Sequence, residues 1–193
     1  FTALSDHVLP DLMRARSGER ALNIWCAACS SGQEPYSIAM LVHDLVGADP
    51  AFRVRMLATD LSPAMLARTR EGVYTQFEVN RGLPASLLVR HFRRQGLEWQ
   101  IEEPLRRMVE TRVVNLDAAL PSMPPMDIIF LRNVLIYFDL NTKRQILARV
   151  RRVMRPDGYL VLGGAETTLN IDDSFERVQI GRAPMYRLRS GKA

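Results

Sequence analysis

Cysteine is almost absent: Cys26 and Cys29 are the only two in 193 residues. One pair cannot staple a chain of this length, and the chain is long enough to bury a core without staples. Histidine is as scarce. His7, His43 and His91 are scattered, so no zinc site with the usual ligand spacing can be drawn and no metal is expected. No apolar run approaches the ~18 residues needed to cross a bilayer, and no secretory leader pattern is visible. The expected location is therefore a reducing cytoplasm, without direct membrane insertion. Lysine is nearly missing as well: Lys143 and Lys192 are the only two among 26 basic residues, and arginine carries the rest of a net charge of +5. The arginine clusters at 90–94, 106–107 and 149–155 have no interleaved aromatic residues, which argues against a nucleic-acid stacking surface. They read either as a solvated surface or as a docking face for an acidic partner. A hydrophobic fraction of 47% with 24% charged residues excludes a disordered chain and fits one globular domain over 1–193, expected as a monomer. Phe1 opens an amphipathic pattern through Leu4, Val8, Leu9 and Leu12 with no initiator methionine, and the sequence reads as the interior of a longer polypeptide.

What is present concentrates between residues 21 and 46. Ala21-Leu-Asn-Ile-Trp-Cys26 reads as a buried strand, Ala27 to Gly32 are all small, and Pro35 suits the first turn of a helix whose apolar spacing runs from Ser37 to Val46. A small-residue turn lets the backbone approach a bound group, and in an α/β sheet the mouth of such a turn is where ligands bind. The turn has one glycine, no G-x-G-x-x-G and no Lys-Ser/Thr of a phosphate loop. Glu34 also stands where a phosphate would need bare amides. The spacing therefore points to a ligand carrying a cationic amine rather than a pyrophosphate.

Cys26 and Cys29 form a C-x-x-C, superficially a redox pair. A thioredoxin-like pair places its first cysteine at a helix N-terminus, whereas Pro35 lies several residues beyond Cys29. Two small buried thiols are the better reading.

Farther along, Phe52 to Asp60 predicts a second strand, and Ser62-Pro63 opens a helix through Arg70 that Gly72 closes. This rhythm argues for a parallel, doubly wound α/β sheet. From Tyr74 the rhythm breaks. Ala85 to Phe92 predicts a short helix, and Leu97–Ile101 and Arg107–Arg112 predict short strands separated by Glu-Pro. Together they form a small β-rich insertion over about 80–112. The core pattern resumes at Thr111–Asn115, followed by a buried central strand Met126–Leu131. Asp139 and Asn141 are candidate caps of a helix Thr142–Met154, which Arg155-Pro-Asp-Gly158 ends. A strand Tyr159–Gly163 and a hairpin of Phe175–Ile180 with Pro184–Arg189 complete the chain. Alternation ending in an antiparallel hairpin is the Rossmann-like plan of S-adenosylmethionine-dependent methyltransferases.

Polar residues recur at predicted strand ends: Asp60, Asn115 and Arg132-Asn133. Such ends line one crevice in an open α/β sheet. An acid after the second strand can accept from both hydroxyls of a ribose. Taken singly, a strand-terminal Asp or Asn is more often a turn former or helix cap; taken with the small-residue turn, these positions outline a nucleoside pocket.

Four blocks carry a family resemblance: Trp25-x-Ala-Ala-x-Ser-x-Gly-x-Glu-Pro-Tyr-Ser37, Ala58-Thr-Asp-Leu-Ser62, Val114-Asn-Leu116, and Asp127-Ile-Ile-Phe-x-Arg-Asn-Val-Leu-Ile-Tyr-Phe-Asp139. In order and spacing, from about His7 to Arg189, the chain resembles the CheR family of chemotaxis-receptor methyltransferases. The resemblance implies transfer of a methyl group from S-adenosylmethionine to receptor glutamates, leaving S-adenosylhomocysteine. It implies that Glu34 pairs with the ammonium of the methionine end beside the Ala28 backbone, and that Asp60 takes the ribose hydroxyls. Asn115 and Leu116 would flank the adenine, and Arg132 and Asn133 would line the floor of the site. Tyr137, with Arg132, would stand at the methyl-transfer position; the plain alternative for Tyr137 is a packed aromatic at a helix start. A carboxylate acceptor is already ionised at neutral pH, which accounts for a sequence without a Ser-His-Asp or Cys-His set. The family's upstream helical domain, ending in Thr-x-Phe-Phe-Arg, is expected to precede this sequence. Gln33 stands where many members have glutamate, and Cys26 and Cys29 where they have Ser or Ala. The partner implied is the cytoplasmic part of a methyl-accepting chemotaxis receptor. The short stretch Arg93–Trp99, with one glycine, implies engagement without a pentapeptide tether. Two other readings stay open: a cofactor-binding signalling module without turnover, and a methyltransferase for another acceptor.

Overall fold

The computed structural model describes residues 2–47, 49 and 51–189; Phe1, the first position of the N-terminal amphipathic pattern, lies outside them. A π-helical turn Leu4–Val8 runs into α1 (Leu9–Ala15), and Leu4, Val8, Leu9 and Leu12 are buried, as their spacing predicts. β1 (Ala21–Ala27) leads to α2 (Gln33–Val46), with Pro35 in the first turn, where a missing N–H costs no helical bond. β2 (Arg53–Asp60) leads to α3 (Pro63–Glu71), whose N-terminus is capped by the Ser62 hydroxyl accepting from the Met65 N–H at 3.3 Å. There follow β3 (Val73–Thr75), α4 (Gln76–Val79), α5 (Ala85–His91), β4 (Phe92–Gln95), β5 (Glu98–Ile101), α6 (Glu103–Met108) and β6 (Val109–Val113). β7 (Met126–Leu131), a 3-10 turn Leu135–Tyr137, α7 (Leu140–Val153), β8 (Met154–Leu162) and the hairpin β9 (Phe175–Ile180) and β10 (Ala183–Leu188) complete the chain.

The main sheet has seven strands in the order β6-β2-β1-β7-β8-β10-β9. The five from β6 to β8 pair in parallel, and β10 is antiparallel to both β8 and β9. β1 and β7 are neighbours from which the chain winds in opposite directions, so the crevice between them is the topological switch point. Side chains alternate across β1. Ile24 and Cys26 face a core shared with α2, the N-terminal arm and the small sheet, whereas Trp25 and Ala27 face a core closed by Ile146, Leu147 and Val150 of α7. All six residues of β7 are buried, Asp127 included, which makes it the central strand predicted over these residues.

Four expectations need correction. The strand placed over Arg107–Arg112 in the insertion is β6, the edge strand of the main sheet, in register with β2 from Met56↔Val109 to Asp60↔Val113. Residues 103–108 before it are helical, with Pro104 in the first turn and Leu105 buried; six residues are too few for helical periodicity to show. The insertion's sheet is β3-β5-β4, drawn from residues 73–101 rather than 80–112, and its three-residue β3 was not visible in the sequence. At α7 the cap is Asp139, which accepts from the N–H groups of Asn141 (2.8 Å) and Thr142 (3.0 Å), so Asn141 lies inside the helix. Arg155-Pro-Asp-Gly158 enters β8 instead of forming a separate loop.

Under the N-terminal ends of β1 and β7 lies a buried ion cluster. Arg16 donates from Nε to Asp127 Oδ1 (2.8 Å) and from Nη1 and Nη2 to the two oxygens of Asp157 (2.8 and 2.6 Å). Asp127 also accepts from the Asn23 N–H at 2.8 Å and is wholly inaccessible.

Six of the nine arginines in the clusters pair with an acid within the chain. Arg90 meets Asp44, Arg93 meets Glu102, Arg107 meets Glu103, Arg149 meets Asp117, Arg151 meets Asp172 and Arg155 meets Glu19. A surface studded with such pairs is mostly solvated and self-compensated, and each exposed pair is worth only about 0–1 kcal/mol.

Candidate functional site

The strand register brings the polar residues of the sequence to one edge. Asp60 lies opposite Val113, Thr59 opposite Ala27, Cys26 opposite Phe130 and Leu131 opposite Leu162. Ala28, Asp60, Asn115, Arg132 and Gly163 therefore follow their strands at the same end of the sheet.

The turn from β1 to α2 is tightly held. The Cys29 N–H donates to the Thr59 carbonyl (2.8 Å), Thr69 Oγ1 to the Ser30 carbonyl (3.1 Å) and the Tyr74 hydroxyl to the Ser31 carbonyl (2.8 Å). Below it, Trp25 Nε1 donates to Thr59 Oγ1 at 2.9 Å, tying β1 to β2. Gly32 has φ +95°, and a Cβ there would lie 2.9 Å from the Tyr74 hydroxyl and 3.0 Å from Thr69, so no larger residue fits. Ala28 at φ 154° and Ser30 at φ 50° occupy backbone regions that L-residues rarely visit, and Asn133 across the crevice sits at φ 58°. Strained backbone of this kind persists where surrounding bonds over-determine it, commonly at ligand sites.

Glu34, in the first turn of α2, accepts from Arg132 Nη1 at 2.5 Å, a pair that closes the crevice across 98 residues of sequence. Burial pushes the Glu34 carboxyl above the usual carboxylate range, against the pull of the Arg132 guanidinium. A second cation at its other oxygen would therefore be well compensated. Asp60 accepts from the Ser30 N–H (2.8 Å, Oδ2) and the Ser62 N–H (2.9 Å, Oδ1), one bond on each oxygen. Asn115 Oδ1 accepts from the Asp117 N–H at 2.9 Å. Both residues thus do the local work of turn formers, and each keeps polar capacity facing outward: a further lone pair on each Asp60 oxygen, and the amide group of the exposed Asn115. Leu116 beside it is buried and supplies an apolar surface.

Tyr137 is 79% exposed on the turn after Asn133 and is not packed in a core among the described residues. A cleft of about 660 Å³ opens beside Glu34 and Arg132, walled by apolar residues including Met40, Leu87 and Phe92.

Glu166 was not singled out in the sequence, and it has the densest bonding of any carboxylate among the described residues. Its two oxygens accept from the N–H groups of Asn133 (2.7 Å), Val134 (2.8 Å), Leu135 (2.7 Å) and Gly163 (2.7 Å). An acid after a Gly-Gly at a strand end was the available signal.

The C-x-x-C is a pair of free, buried thiols. Burial pushes Cys29 up to about 11 and Cys26 well above the ordinary thiol value. Neither is expected to react with a maleimide at pH 8 in the native protein, and both should react once it is denatured; fast native labelling of either would restore the redox reading. The histidines are less scattered than the sequence suggests. His43 and His91 meet edge-on at 5.9 Å, and Asp44 lies 3.7 Å and 3.5 Å from their ring nitrogens while also accepting from Arg90.

The family model described as CheR methyltransferase, SAM binding domain, matches residues 1–183. Chemotaxis protein methyltransferase 1 of Pseudomonas aeruginosa is 40% identical over 194 residues, covering 98% of this chain and 70% of that protein. Chemotaxis protein methyltransferase Cher2 of Pseudomonas putida is 37% identical, with 98% and 70% covered. A TehB-like SAM-dependent methyltransferase structure from Corynebacterium glutamicum superposes with a TM-score of 0.55 at 13% identity, covering 98% of this chain and 100% of that one, and shows the shared fold. With its doubly wound sheet, its terminal hairpin and its polar strand ends in one row, the chain belongs to the CheR methyltransferase family, as an S-adenosylmethionine-binding domain.

Proposed function

We propose that this chain is a protein-glutamate O-methyltransferase acting on chemotaxis receptors, and that residues 1–193 work as one catalytic domain with the small sheet as its insertion. The observation that carries the reading is the pair of carboxylates at the mouth of the switch point. Glu34 is half-buried with its carboxyl raised, suited to a cation, and Asp60 is held by two backbone amides at the end of β2. This donor set fits S-adenosylmethionine, which has an ammonium at one end and a ribose diol in the middle. In this reading Glu34 and the Ala28 backbone hold the methionine end, Asp60 the ribose, and Asn115 and Leu116 the adenine. Arg132 and Asn133 line the floor, and Tyr137 faces the incoming acceptor.

S-adenosylmethionine, when bound, supplies a methyl group on a sulfonium, which an acceptor carboxylate takes up as an ester while the C–S electrons return to sulfur. A glutamate needs no general base for this at neutral pH. The chain's own residues are then left to align the two partners and exclude water, and an exposed Tyr137 near the Glu34–Arg132 pair at the mouth of the crevice suits that task. The test is transfer of radiolabelled methyl from S-adenosylmethionine to a receptor cytoplasmic fragment. Alkali-labile label that disappears when the receptor's methylation glutamates become alanine supports the reading; label on another residue type, or none, overturns it.

The small sheet bears on how a receptor is engaged. β4 and β5 are joined by only Gly96 and Leu97, so this hairpin has no extended loop to wall a peptide groove. A receptor-tail pentapeptide is expected to show no detectable binding by calorimetry, because a tether raises effective concentration only where a formed groove holds it. Micromolar affinity would reverse that expectation.

A further inference from the structure

Glu166 is 9% exposed and carries no basic partner among the described residues. Its bonding is instead saturated by backbone: Oε1 accepts from Val134 and Leu135, and Oε2 from Asn133 and Gly163. A carboxylate has about four lone-pair sites, so no capacity is left for a proton-transfer role or a ligand. Three successive N–H groups converging on one anion form a nest, a backbone concavity that binds anions. Here the nest begins at Asn133, whose φ of 58° is the strained step of the turn. Arg132, the residue before that step, is the one that reaches Glu34, and Tyr137 follows two residues after the nest ends. Gly163 completes the arrangement. A Cβ on it would lie 2.4 Å from Asn133 Oδ1, 2.6 Å from Glu166 Oε2 and 2.9 Å from the Asn133 nitrogen.

We infer that Glu166 is a positioning residue of the cofactor site: an internal anion that folds Asn133–Leu135 into a nest and so fixes Arg132 against Glu34 at the amino-acid end of the ligand. The inference rests on the reading that Glu34 and Arg132 serve that end while Asp60 and Asn115 serve the nucleoside. It predicts a split that a general loss of stability would not produce. Glu166→Gln keeps the shape but sets an NH₂ donor against backbone donors, which opens the nest. Gly163→Ala keeps the Glu166 charge and displaces the carboxylate and the same turn sterically, so it answers independently if the first variant folds poorly.

The experiment is calorimetry at 25 °C with two ligands: S-adenosylhomocysteine, and 5′-methylthioadenosine, which has the nucleoside but no amino-acid end. In both variants S-adenosylhomocysteine is expected to weaken by about tenfold or more, the loss of roughly one charge-assisted contact, while 5′-methylthioadenosine stays within about twofold. Equal loss of both ligands, or loss of neither, overturns the inference and leaves the cofactor site standing. A wild-type chain that binds neither ligand overturns the cofactor-site reading itself, and the inference with it.

Discussion

Replacing Arg16 with methionine is expected to remove about 3–5 kcal/mol of folding stability, because it takes away the hydrogen-bonded counter-charge of Asp127 in the interior. Asp127 is fully inaccessible and Arg16 is 6% exposed, so water cannot take over the lost bonds. The surviving neighbours of Asp127 are the Asn23 N–H at 2.8 Å and, at 3.4 Å, Arg155 Nε. Against a total stability of about 5–15 kcal/mol this is a large share. Urea denaturation should show the midpoint falling at constant m-value; a loss under about 1 kcal/mol would mean that Arg155 moves in and replaces Arg16. A double variant with Asp127→Leu should recover most of the loss, since a buried ion pair is about as stable as a well-packed apolar pair. The acid limb adds a second signature. The Arg16 hydrogen bonds hold the Asp157 carboxyl below its usual range. A depressed folded value means that the stability Asp157 contributes is present above its unfolded pKa, about 3.9, and is lost as pH falls through the folded value. Removing Arg16 should flatten the dependence below about pH 4. Asp127 shifts the other way, raised chiefly by burial, so its charged form is a cost that grows above the same unfolded value.

Asp60→Ala is expected to weaken S-adenosylhomocysteine binding by about 3 kcal/mol, on the order of a hundredfold in Kd, with the fold intact. Two charge-assisted bonds to ribose hydroxyls would be lost, offset in part by water entering the gap. The local cost is modest: the Ser30 and Ser62 amides lose their acceptor at a solvent-facing turn, where water replaces it. Calorimetry with far-ultraviolet circular dichroism as control checks this. Unchanged affinity in a folded variant would leave Asp60 as a turn former alone.

The elements that sequence pattern made plain are those with strong local chemistry. Ser62-Pro63 and Gly72 bounded α3, and the apolar run of residues 126–131 identified the central strand. Asp60 and Asn115 were legible because one ends β2 and the other lies two residues past the end of β6, and strand ends in a parallel sheet share an edge. What stayed hidden depends on contacts between distant segments. The Glu34–Arg132 pair spans 98 residues and the Glu166 bonds about 30, and no local periodicity encodes either. β3 escaped because three residues cannot show a period, and β6 was assigned to the wrong sheet because its membership is decided by β2, some fifty residues earlier. His43 and His91 meet only because α5 packs back toward the end of α2.

The strand order carries a consequence for how the molecule is made. β10, the last strand among the described residues, is inserted between β8 and β9 rather than added at the rim. During synthesis the ribosome releases β8 well before its neighbour exists, so the outer edge of β8 offers unpaired N–H and C=O groups, with Leu160 and Leu162 close by, until residues 183–188 emerge. Met185 and Tyr186 then enter the cores on opposite faces of the sheet together. Completion of this side of the sheet therefore waits for residues 183–188, and until they pair the open edge of β8 invites intermolecular pairing. A ribosome stalled ahead of Ala183 would release a sticky sheet rather than a weakened enzyme.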